Sequence, residues 1–506
     1  MAKDKQKKSL FQRFLNGIET LGNRLPDPFL LFAILAGAVI VLSVIFSLFN
    51  ASVVHPGSGE TLEIKSLLSN EGIEFILTEM LANFTGFAPL GLVLAMMLGI
   101  GLTEKVGFLD DAIQRTILKS PPALVTYTVI FVGIMGNIAS DAANVLIPPL
   151  AAMVFYRIGR NPIAGLVAGF AATGAGFTAN LLPVGTDALL AGISTEAAQI
   201  FDPDFVVTPV DNWYFSVVSV FVLTLVGGLV TSRIIEPRLG KYEGDEVEVD
   251  VKEKHPNADR AFRNAIIAGA LFLIALVVVI FLPDSPLRGE GGTIIPSPFI
   301  SGIVPIILFF FLTIGVTYGI TLGNIQSSKD VTKYMTESIK ELSGYIVLIF
   351  AISQFIAFFS WSNIGTWLAV NGADFLTSIN FTGIGLIIGY ILLTASLNFF
   401  ITSGSAKWAL EAPVFIPMFM KLGYHPAFIQ ASYRVADSST NIITPLFPYL
   451  VVILSFMQKY DKRAGLGSLI ALMIPYTLAF LATWIVLILI FFFVGIPFGP
   501  GITPFL

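Results

Sequence analysis

NFFITSGSAKW, residues 398–408, is a polar passage inside an otherwise apolar stretch, and NIASDAAN, residues 137–144, is a second one. Unpaired backbone groups are costly in lipid, so such passages persist in a membrane only where they line a cavity within the protein. We therefore predict two re-entrant hairpins, the first over 123–158 and the second over 382–420, with polar tips at membrane depth.

Each predicted hairpin is followed by an interrupted helix, so the two units form an internal repeat. The interrupted helices span 163–194 and 427–457, and each contains a polar break. The hairpin asparagine and the break asparagine are 43 residues apart in both units; they are Asn137 and Asn180, then Asn398 and Asn441. Because order, spacing and flanking prolines agree, we predict inverted-topology repeats with broken helices, an arrangement found in secondary transporters.

The composition indicates a membrane protein. Of 506 residues, 55 % are hydrophobic and 12 % are charged, which is about half the charge of an ordinary soluble domain. The net charge of -5 gives no basic surface for nucleic acid, and the chain has no cysteine. These features exclude a water-soluble enzyme, a disordered protein and a disulfide scaffold, and they predict an all-α polytopic membrane protein.

Nine stretches are long enough to cross the hydrocarbon, which takes about 20 apolar residues. Two are the broken helices, and the other seven lie near 28–50, 87–104, 212–234, 264–283, 298–320, 344–360 and 465–495. The first is expected to remain as a membrane helix, because no small-residue cleavage site follows it. The predicted fold is therefore nine transmembrane helices plus two re-entrant hairpins.

The basic residues predict a cytoplasmic N-terminus in the inner membrane. If each hairpin enters and leaves on one side, all but five of the 29 Lys and Arg residues fall in cytoplasmic segments. The exceptions are Lys65, Arg288 and Lys421 outside, and Lys407 and Arg434 at membrane depth. Residues 10–26 and 361–380 have mixed polarity and are expected to be interfacial helices.

The same pattern divides the chain into two halves. The N-terminal half is expected over 1–236 and the C-terminal half over 284–506, each with one hairpin and one broken helix. A charged cytoplasmic linker is expected over 237–263, followed by a connecting transmembrane helix over 264–283.

Ionisable residues inside apolar spans are expensive and usually mark function. Arg434 and Asp437 are three residues apart on one helix face, so they form either a structural ion pair or a site for a substrate carboxylate and a coupling ion. Asp187, at the break of the first repeat, either handles a cation or caps a helix. The run 437–441 offers five oxygen-bearing side chains suited to Na⁺, but a buried carboxylate can equally carry a proton.

Lys407 and Trp408 follow the small-residue tip at 403–405. Trp408 is expected either to stack on an aromatic ligand or to act as an interfacial anchor. Lys407 is expected either to bind an anion or to pair with Asp141 or Glu411. The two tips and the two breaks predict one midplane site, where helix ends hold an anion and unwound carbonyls hold a cation.

These motifs resemble the p-aminobenzoyl-glutamate transporter (AbgT) family across essentially the whole chain. The resemblance rests on Asn398, SGSAKWA at 403–409, Pro413, Pro426, YRVADS at 433–438, Pro445 and GTD at 185–187. It implies a homodimer whose protomers each have nine spans and two hairpins. It also implies import of p-aminobenzoyl-glutamate, or export of p-aminobenzoate and sulfonamide antimetabolites, driven by a proton or sodium gradient.

The resemblance further implies roles for individual residues. By similarity, Asp187, Asn398 and Asp437 would handle the cation, while Ser405, Trp408, Pro426, Arg434 and Pro445 would surround the substrate. Together with the tip and break residues, the predicted substrate-binding set is Ser403, Gly404, Ser405, Lys407, Trp408, Pro426, Arg434 and Pro445. The predicted coupling set is Asp187, Asn137, Asn180, Asn398, Asp437, Ser438, Thr440 and Asn441, with Na⁺ expected near Asp187, Asn398 and Asp437. No cofactor is expected besides the coupling ion, Na⁺ or H⁺.

Three other functions compete with this one. An intramembrane aspartyl protease is disfavoured because none of the aspartates at depth follows Gly-x-Gly, and ATP is excluded as an energy source because no nucleotide-binding loop is present. A channel would also use re-entrant hairpins, but it would show conductance steps. A dicarboxylate or other organic-anion carrier with the same two hairpins is the remaining alternative.

Overall fold

The computed structural model describes residues 26–55, 59–139, 142–244 and 255–506. Within these ranges the chain is mostly helical, with one antiparallel pair of short strands. The interfacial helix predicted over 10–26 falls almost entirely outside the described residues. So do Ser140 and Asp141 of the first hairpin tip, and residues 245–254 of the predicted linker.

Within the described residues, four helices and two short strands precede the first repeat. They are α1 (Pro28–Leu48), then strands β1 (Ser52–Val54) and β2 (Thr61–Glu63), followed by α2 (Asn70–Thr85), α3 (Ala88–Lys105) and α4 (Phe108–Leu118). The first repeat comprises α5 (Val125–Met135), a 3-10 turn (Gly136–Ala139), α6 (Ala142–Arg157), α7 (Pro162–Ala175) and α8 (Gly185–Ala198).

The second repeat has the same succession of four α-helices, but its 3-10 turn follows the third helix rather than the first. It comprises α17 (Gly383–Leu397), α18 (Gly404–Lys421), α19 (Pro426–Thr440), a 3-10 turn (Asn441–Ile443) and α20 (Tyr449–Met457). Between the repeats lie α9 (Trp213–Val230), a π-helical turn (Thr231–Ile235), α10 (Glu236–Leu239), α11 (Ala258–Phe281), a 3-10 turn (Glu290–Gly292), α12 (Pro298–Ser301), α13 (Ile303–Leu322), α14 (Ser328–Glu341), α15 (Ser343–Trp361) and α16 (Ile364–Ser378). The last helix is α21 (Leu466–Val494).

In the described part of the chain, seven helical segments are long and apolar enough to cross a membrane. They are Pro28–Leu48, Asn70–Lys105, Trp213–Leu239, Ala258–Phe281, Ile303–Leu322, Ser343–Trp361 and Leu466–Val494. Each overlaps one of the seven uninterrupted spans expected from the sequence. The chain is therefore an all-α polytopic membrane protein. The two stretches predicted as broken helices are interrupted in the structure, between α7 and α8 and between α19 and α20, and the total of nine spans stays a prediction.

Several helix bounds differ from the sequence predictions. α11 begins at Ala258, six residues before the expected span, so the linker predicted over 237–263 is shorter at its end. α2, α4 and α14 were not predicted. Acidic or basic side chains recur along each of these three helices, and their charge lowers the mean hydropathy on which span prediction depends.

The two broken helices begin in the same way, which explains the shared prolines. Asn161 Oδ1 accepts a hydrogen bond from the amide of Ile163 at 3.0 Å, one residue past the proline that opens α7. His425 Nδ1 accepts one from the amide of Ala427 at 3.1 Å at the start of α19. A capping side chain followed by proline at the first helical position fixes each starting point.

Close packing holds the hairpins against the broken helices. A Cβ atom at Gly165 of α7 would lie 2.5 Å from the carbonyl oxygen of Ala151 in α6, so only glycine permits this approach. On the opposite side, the Trp484 indole of α21 donates to Ser219 Oγ of α9 at 2.8 Å. α7 and α19 are buried along their whole lengths, and they carry the functional side chains into the interior.

Candidate functional site

Each hairpin tip is fastened to the break of its own repeat by a pair of asparagines. Asn137 Nδ2 donates to Asn180 Oδ1 at 2.8 Å, and Asn398 Nδ2 donates to Asn441 Oδ1 at the same distance. These are the pairs separated by 43 residues in the sequence. The equal spacing therefore has a structural cause, since it brings the same amide contact to the same place in both repeats.

Lys407 is the centre of a buried polar network in the second repeat. Its ammonium group donates to Asp437 Oδ1 at 2.6 Å and to Asn398 Oδ1 at 2.7 Å. Asn398 Nδ2 also donates to the backbone oxygen of Asp437 at 2.7 Å and to Thr440 Oγ1 at 2.8 Å. The side chains of Lys407 and Asp437 are 0 % and 2 % exposed, so this ion pair is almost completely shielded from solvent.

A second buried ion pair joins the two repeats. Arg434 Nη1 of α19 donates to Asp187 Oδ1 of α8 at 2.6 Å, and Asp187 Oδ2 accepts the amide of Val184 at 2.7 Å. Nearby, the hydroxyl groups of Thr178 and Ser438 are 2.5 Å apart. Asp187 thus caps the first turn of α8 and also holds an arginine from the other repeat.

The pairing expected between Arg434 and Asp437 is wrong. Although the two lie one turn apart, Arg434 reaches across to Asp187, and Asp437 contacts Lys407. The long arginine side chain extends beyond its own helix to the first turn of α8, whereas the short Asp437 side chain meets the ammonium at the adjacent tip. Each charge has a partner from another helix, so a pairing based on helical spacing alone missed both.

The partners expected for Lys407 also need correction. Of the two expected carboxylates, Asp141 lies outside the described residues, and Glu411 is one turn farther along α18. Glu411 Oε2 instead accepts a hydrogen bond from Thr394 Oγ1 at 2.6 Å. Lys407 points toward α19 and therefore pairs with Asp437.

A cavity of about 540 Å³ lies between the two tips and the two breaks. It is large enough for a small organic molecule. The first repeat lines it with Asn137, Ile138, Ala143, Asn144, Thr173, Gly174, Phe177, Gly185, Thr186, Leu189 and Leu190, and the second with Thr402, Ser403, Gly404, Ser405, Asp437, Asn441, Phe447, Pro448 and Tyr449. Val93, Met97, Ile100, Leu342 and Tyr345 complete the lining. Of the described residues that line the cavity, only Asp437 carries a charge.

The residues predicted from the sequence divide into two groups around this cavity. Those that line it are Asn137, Ser403, Gly404, Ser405, Asp437 and Asn441. Those that lie behind it are Asn180, Asp187, Asn398, Lys407, Trp408, Pro426, Arg434, Ser438, Thr440 and Pro445. The residues of the first group are placed to contact a ligand in the cavity, whereas those of the second are not part of its lining in this conformation.

Trp408 belongs to the wall and is completely buried. Its indole N–H lies 3.2 Å from both the backbone oxygen of Leu190 and Ser194 Oγ, and its ring centroid is 4.5 Å from that of Tyr433. Tyr433 in turn donates to the backbone oxygen of Gly404 at 2.5 Å. In this conformation the tryptophan connects α18 to α8, and neither the ligand-stacking role nor the interfacial role describes its contacts.

The sequence predictions missed the aromatic side of the cavity. Phe177, Tyr345, Phe447 and Tyr449 line it, and the rings of Phe447 and Tyr449 are 5.4 Å apart between centroids. Phe177, Phe447 and Tyr449 lie within the two breaks, close to the polar residues that were singled out. A membrane protein with 44 Phe residues offers no signal that separates these positions from lipid-facing ones.

Within the described ranges, no three His, Asp or Glu side chains come together to hold a metal ion. An alkali cation does not need such a cluster, because amide, hydroxyl and single carboxylate oxygens can bind it. Asn137 Oδ1 and Asn144 Oδ1 are buried and have no hydrogen-bond partner among the described residues. Both asparagines line the cavity, so two unpaired acceptor oxygens lie buried just behind its surface at the first tip.

Comparison with known families accounts for the whole described fold. A family model described as "AbgT putative transporter family" matches residues 13–506. The chain belongs to the AbgT family. Its relatives are transporters rather than enzymes, and the resemblance drawn from the tip and break motifs is confirmed.

Three relatives of AbgT type are similar along almost their whole length. The p-aminobenzoyl-glutamate transport protein of Escherichia coli (strain K12) is 44 % identical over 490 residues, 96 % of each chain. The structure of the Alcanivorax borkumensis YdaH transporter has a TM-score of 0.90 at 40 % identity and covers 94 % of this chain and 100 % of its own. Neisseria gonorrhoeae MtrF, described as illuminating a class of antimetabolite efflux pumps, has a TM-score of 0.90 at 41 % identity over 97 % of this chain and 100 % of its own.

Proposed function

We propose that this AbgT protein is an ion-gradient-driven secondary transporter of aromatic carboxylates such as p-aminobenzoyl-glutamate and p-aminobenzoate. The observation that carries the proposal is the cavity between the two tips and the two breaks. Its aromatic and polar walls suit a ring that bears a carboxylate. The name of the E. coli relative supports this substrate class. The description of the N. gonorrhoeae relative as illuminating antimetabolite efflux pumps supports export, and we propose sulfonamide antimetabolites as further substrates.

Helix ends supply the positive potential that an anionic substrate requires. Four short helices begin at the cavity wall: α6, α8, α18 and α20. Each N-terminus carries a partial positive charge from unpaired amides, and this charge is strong where water is excluded. Lys407 and Arg434 are each bound to a carboxylate, so we assign carboxylate recognition to these helix ends rather than to the basic side chains.

The aromatic ring of the substrate is assigned to the cavity side of the two breaks. Phe177, Phe447 and Tyr449 line that side, and aromatic pairs gain energy from offset or edge-to-face contacts. A dicarboxylate such as succinate offers no ring to these side chains. The alternative of a dicarboxylate carrier is therefore disfavoured.

The coupling ion is assigned to the polar groups around the tips. Asp437 faces the cavity, and the Lys407 ammonium occupies the position that a free cation would take between Asp437 and Asn398. Binding of a cation there requires Lys407 to leave. At the first tip, we assign a second position to Asn137 and Asn144, whose buried amide oxygens have no partner among the described residues and would reach a cation in the cavity by a small side-chain rotation.

The remaining features of the proposal concern assembly and orientation. We assign the protein to the cytoplasmic (inner) membrane as a homodimer with a cytoplasmic N-terminus, nine spans and two hairpins. The distribution of Lys and Arg over the predicted loops supports this orientation. We propose the two halves over 1–236 and 284–506 and the linker over 237–263 as predicted from the sequence, although helices extend into both ends of the linker, to Leu239 and from Ala258.

Flux measurements in proteoliposomes test the proposal. p-Aminobenzoyl-glutamate and p-aminobenzoate flux is measured while sodium and pH gradients are imposed separately. We expect gradient-dependent flux that Asp437→Asn abolishes, whereas Asp374→Asn, at an exposed ion pair with Lys421, leaves it unchanged. Excess succinate should not compete with p-aminobenzoate. Competition by succinate would support the dicarboxylate alternative, and absence of flux from folded protein would contradict the substrate assignment.

A further inference from the structure

A second cavity lies on the outer side of α8, away from the tips. Its volume is about 480 Å³. It is lined by Phe75, Ala82, Asn83, Gly86, Phe87, Glu196, Gln199, Ser353, Ile356, Ala357, Ser360 and Trp361. We call it the seam cavity, and the cavity between the tips the central cavity.

The same helices line both cavities in the same order. Along α8, Leu190 faces the central cavity and Glu196 the seam cavity. Along α15, Tyr345 faces the first and Ser353 the second. At a rise of 1.5 Å per residue, the distance along the helix is about 9 Å from Leu190 to Glu196 and about 12 Å from Tyr345 to Ser353. The two cavities therefore lie one after the other along the same contact region between these helices, which we call the seam. The α2–α3 segment forms the third wall of both.

Pro89 at the start of α3 closes the seam between the two cavities. A Cβ atom at Gly192 of α8 would lie 2.8 Å from the Pro89 nitrogen, so the two backbones are in direct contact. The Tyr345 hydroxyl donates to the Pro89 carbonyl oxygen at 2.9 Å, and Glu196 Oε1 accepts the amide of Ala88 at 3.1 Å. The barrier is thin, and each contact joins different helices.

We infer that the seam cavity is the opposite mouth of the route that begins at the central cavity, and that Pro89 with its contacts is the closed gate between them. The inference rests on the proposed function, because an aromatic carboxylate is what would cross. None of the described residues that line the seam cavity is Lys or Arg, Glu196 presents a carboxylate, and the nearby Lys65 ammonium lies 5.4 Å from the centre of the Trp361 ring. The mouth therefore combines opposite charges, and the apolar rings of Phe75, Phe87 and Trp361 favour the aromatic part of the substrate.

Accessibility of single cysteines tests the inference, and the chain has no native cysteine to remove. Thr186→Cys reports the central cavity and Ala357→Cys the seam cavity, while Ser396→Cys is an exposed control that lines neither. A membrane-impermeant thiol reagent is applied to each face of the membrane in turn. We expect Thr186→Cys to react from one face only and Ala357→Cys from the opposite face only.

Opening the gate should connect the two mouths. Gly192→Ala places a methyl group against the Pro89 backbone and forces the seam apart, so Ala357→Cys should then react from both faces. Gly91→Ala is the matched control, because a methyl group at Gly91 meets no atom within 4 Å and leaves the labelling unchanged. If Ala357→Cys reacts from the same face as Thr186→Cys in the closed protein, or from neither, the seam is not a route. If Gly192→Ala leaves its labelling one-sided, Pro89 is not the gate.

The outcomes separate this inference from the proposed substrate. If the two cysteines are labelled from opposite faces but p-aminobenzoate does not protect Thr186→Cys, the result would support the seam cavity as the opposite mouth and contradict the proposed substrate. If p-aminobenzoate protects Thr186→Cys but Ala357→Cys is labelled from neither face, the result would support the proposed substrate and contradict the seam cavity as a mouth of the transport route.

Discussion

The two repeats share their architecture and differ in how they hold charge. Both fasten a hairpin tip to a helix break through an asparagine pair at 2.8 Å. In the second repeat, the tip asparagine also accepts the Lys407 ammonium, whereas Asn137 Oδ1 of the first has no partner among the described residues. The second repeat therefore carries its own internal cation, and the described part of the first has no cation at the matching acceptor.

The carboxylates show the same contrast. Asp437 pairs within its own repeat, while Asp187 pairs with Arg434 from the other repeat. An ion pair inside one repeat can break without loss of any contact between the repeats, whereas breaking a pair between repeats removes one of the contacts that hold them together. We therefore assign ion exchange to the Lys407–Asp437 pair and cohesion of the two repeats to the Arg434–Asp187 pair.

The largest expected effect is that of Lys407→Gln. It leaves the buried Asp437 carboxylate without its ammonium partner, which typically costs about 3–5 kcal/mol. We expect a marked fall in the midpoint of thermal unfolding in detergent, together with loss of gradient-driven flux. The double variant Lys407→Gln/Asp437→Asn replaces the charges by a neutral pair of similar size and should recover most of the stability without recovering flux.

The matched control for this variant is Lys421→Gln. Lys421 forms its ion pair with Asp374, whose side chain is 67 % exposed, and exposed pairs contribute about 0–1 kcal/mol. Its unfolding midpoint should stay close to that of the native protein. Equal losses from the two lysine variants would contradict a special role for the buried pair.

A smaller loss is expected for Arg434→Gln. Asp187 would lose its guanidinium partner but keep the amide of Val184 and the favourable first turn of α8, so we expect about 2–3 kcal/mol. If this pair joins the repeats, the double variant Arg434→Gln/Asp187→Asn should restore stability and much of the flux. Restored stability with no flux would instead place Arg434 in substrate or ion handling, as the sequence resemblance implies.

The sequence could predict the repeats because their cause is local. Each broken helix begins with a capping residue followed by a proline in the first turn, at Asn161-Pro162 and at His425-Pro426. Polar residues within apolar helices are also easy to recognise in the sequence. The partners of the buried charges could not be predicted in this way. Arg434 and Asp187 are 247 residues apart, and only packing of α19 against α8 brings them together.

The cavity walls illustrate a second limit of the sequence. Polar tips at 403–405 and at Asn137 were correctly predicted to meet at one centre, because backbone exposed in a membrane must face a cavity. The sequence analysis missed the aromatic wall, because nothing in the sequence distinguishes Phe447 from the other phenylalanines of an apolar chain. Its role depends on a position that three-dimensional packing alone supplies.

Among the Lys407, Arg434 and Trp408 variants, the smallest loss of stability should come from Trp408→Phe, which separates wall residues from ligand contacts. The ring contact with Tyr433 survives and only the indole hydrogen bond is lost, so the cost should be about 1 kcal/mol. With Trp408 in the wall, the KM for p-aminobenzoate flux should stay near the native value.

Phe447→Leu removes a ring that faces the central cavity and should raise the KM while leaving the unfolding midpoint nearly unchanged. A rise in KM for Trp408→Phe with none for Phe447→Leu would reverse the assignment. The tryptophan would then leave the wall during transport to stack on the substrate, and the conformation described would be one from which that contact is absent.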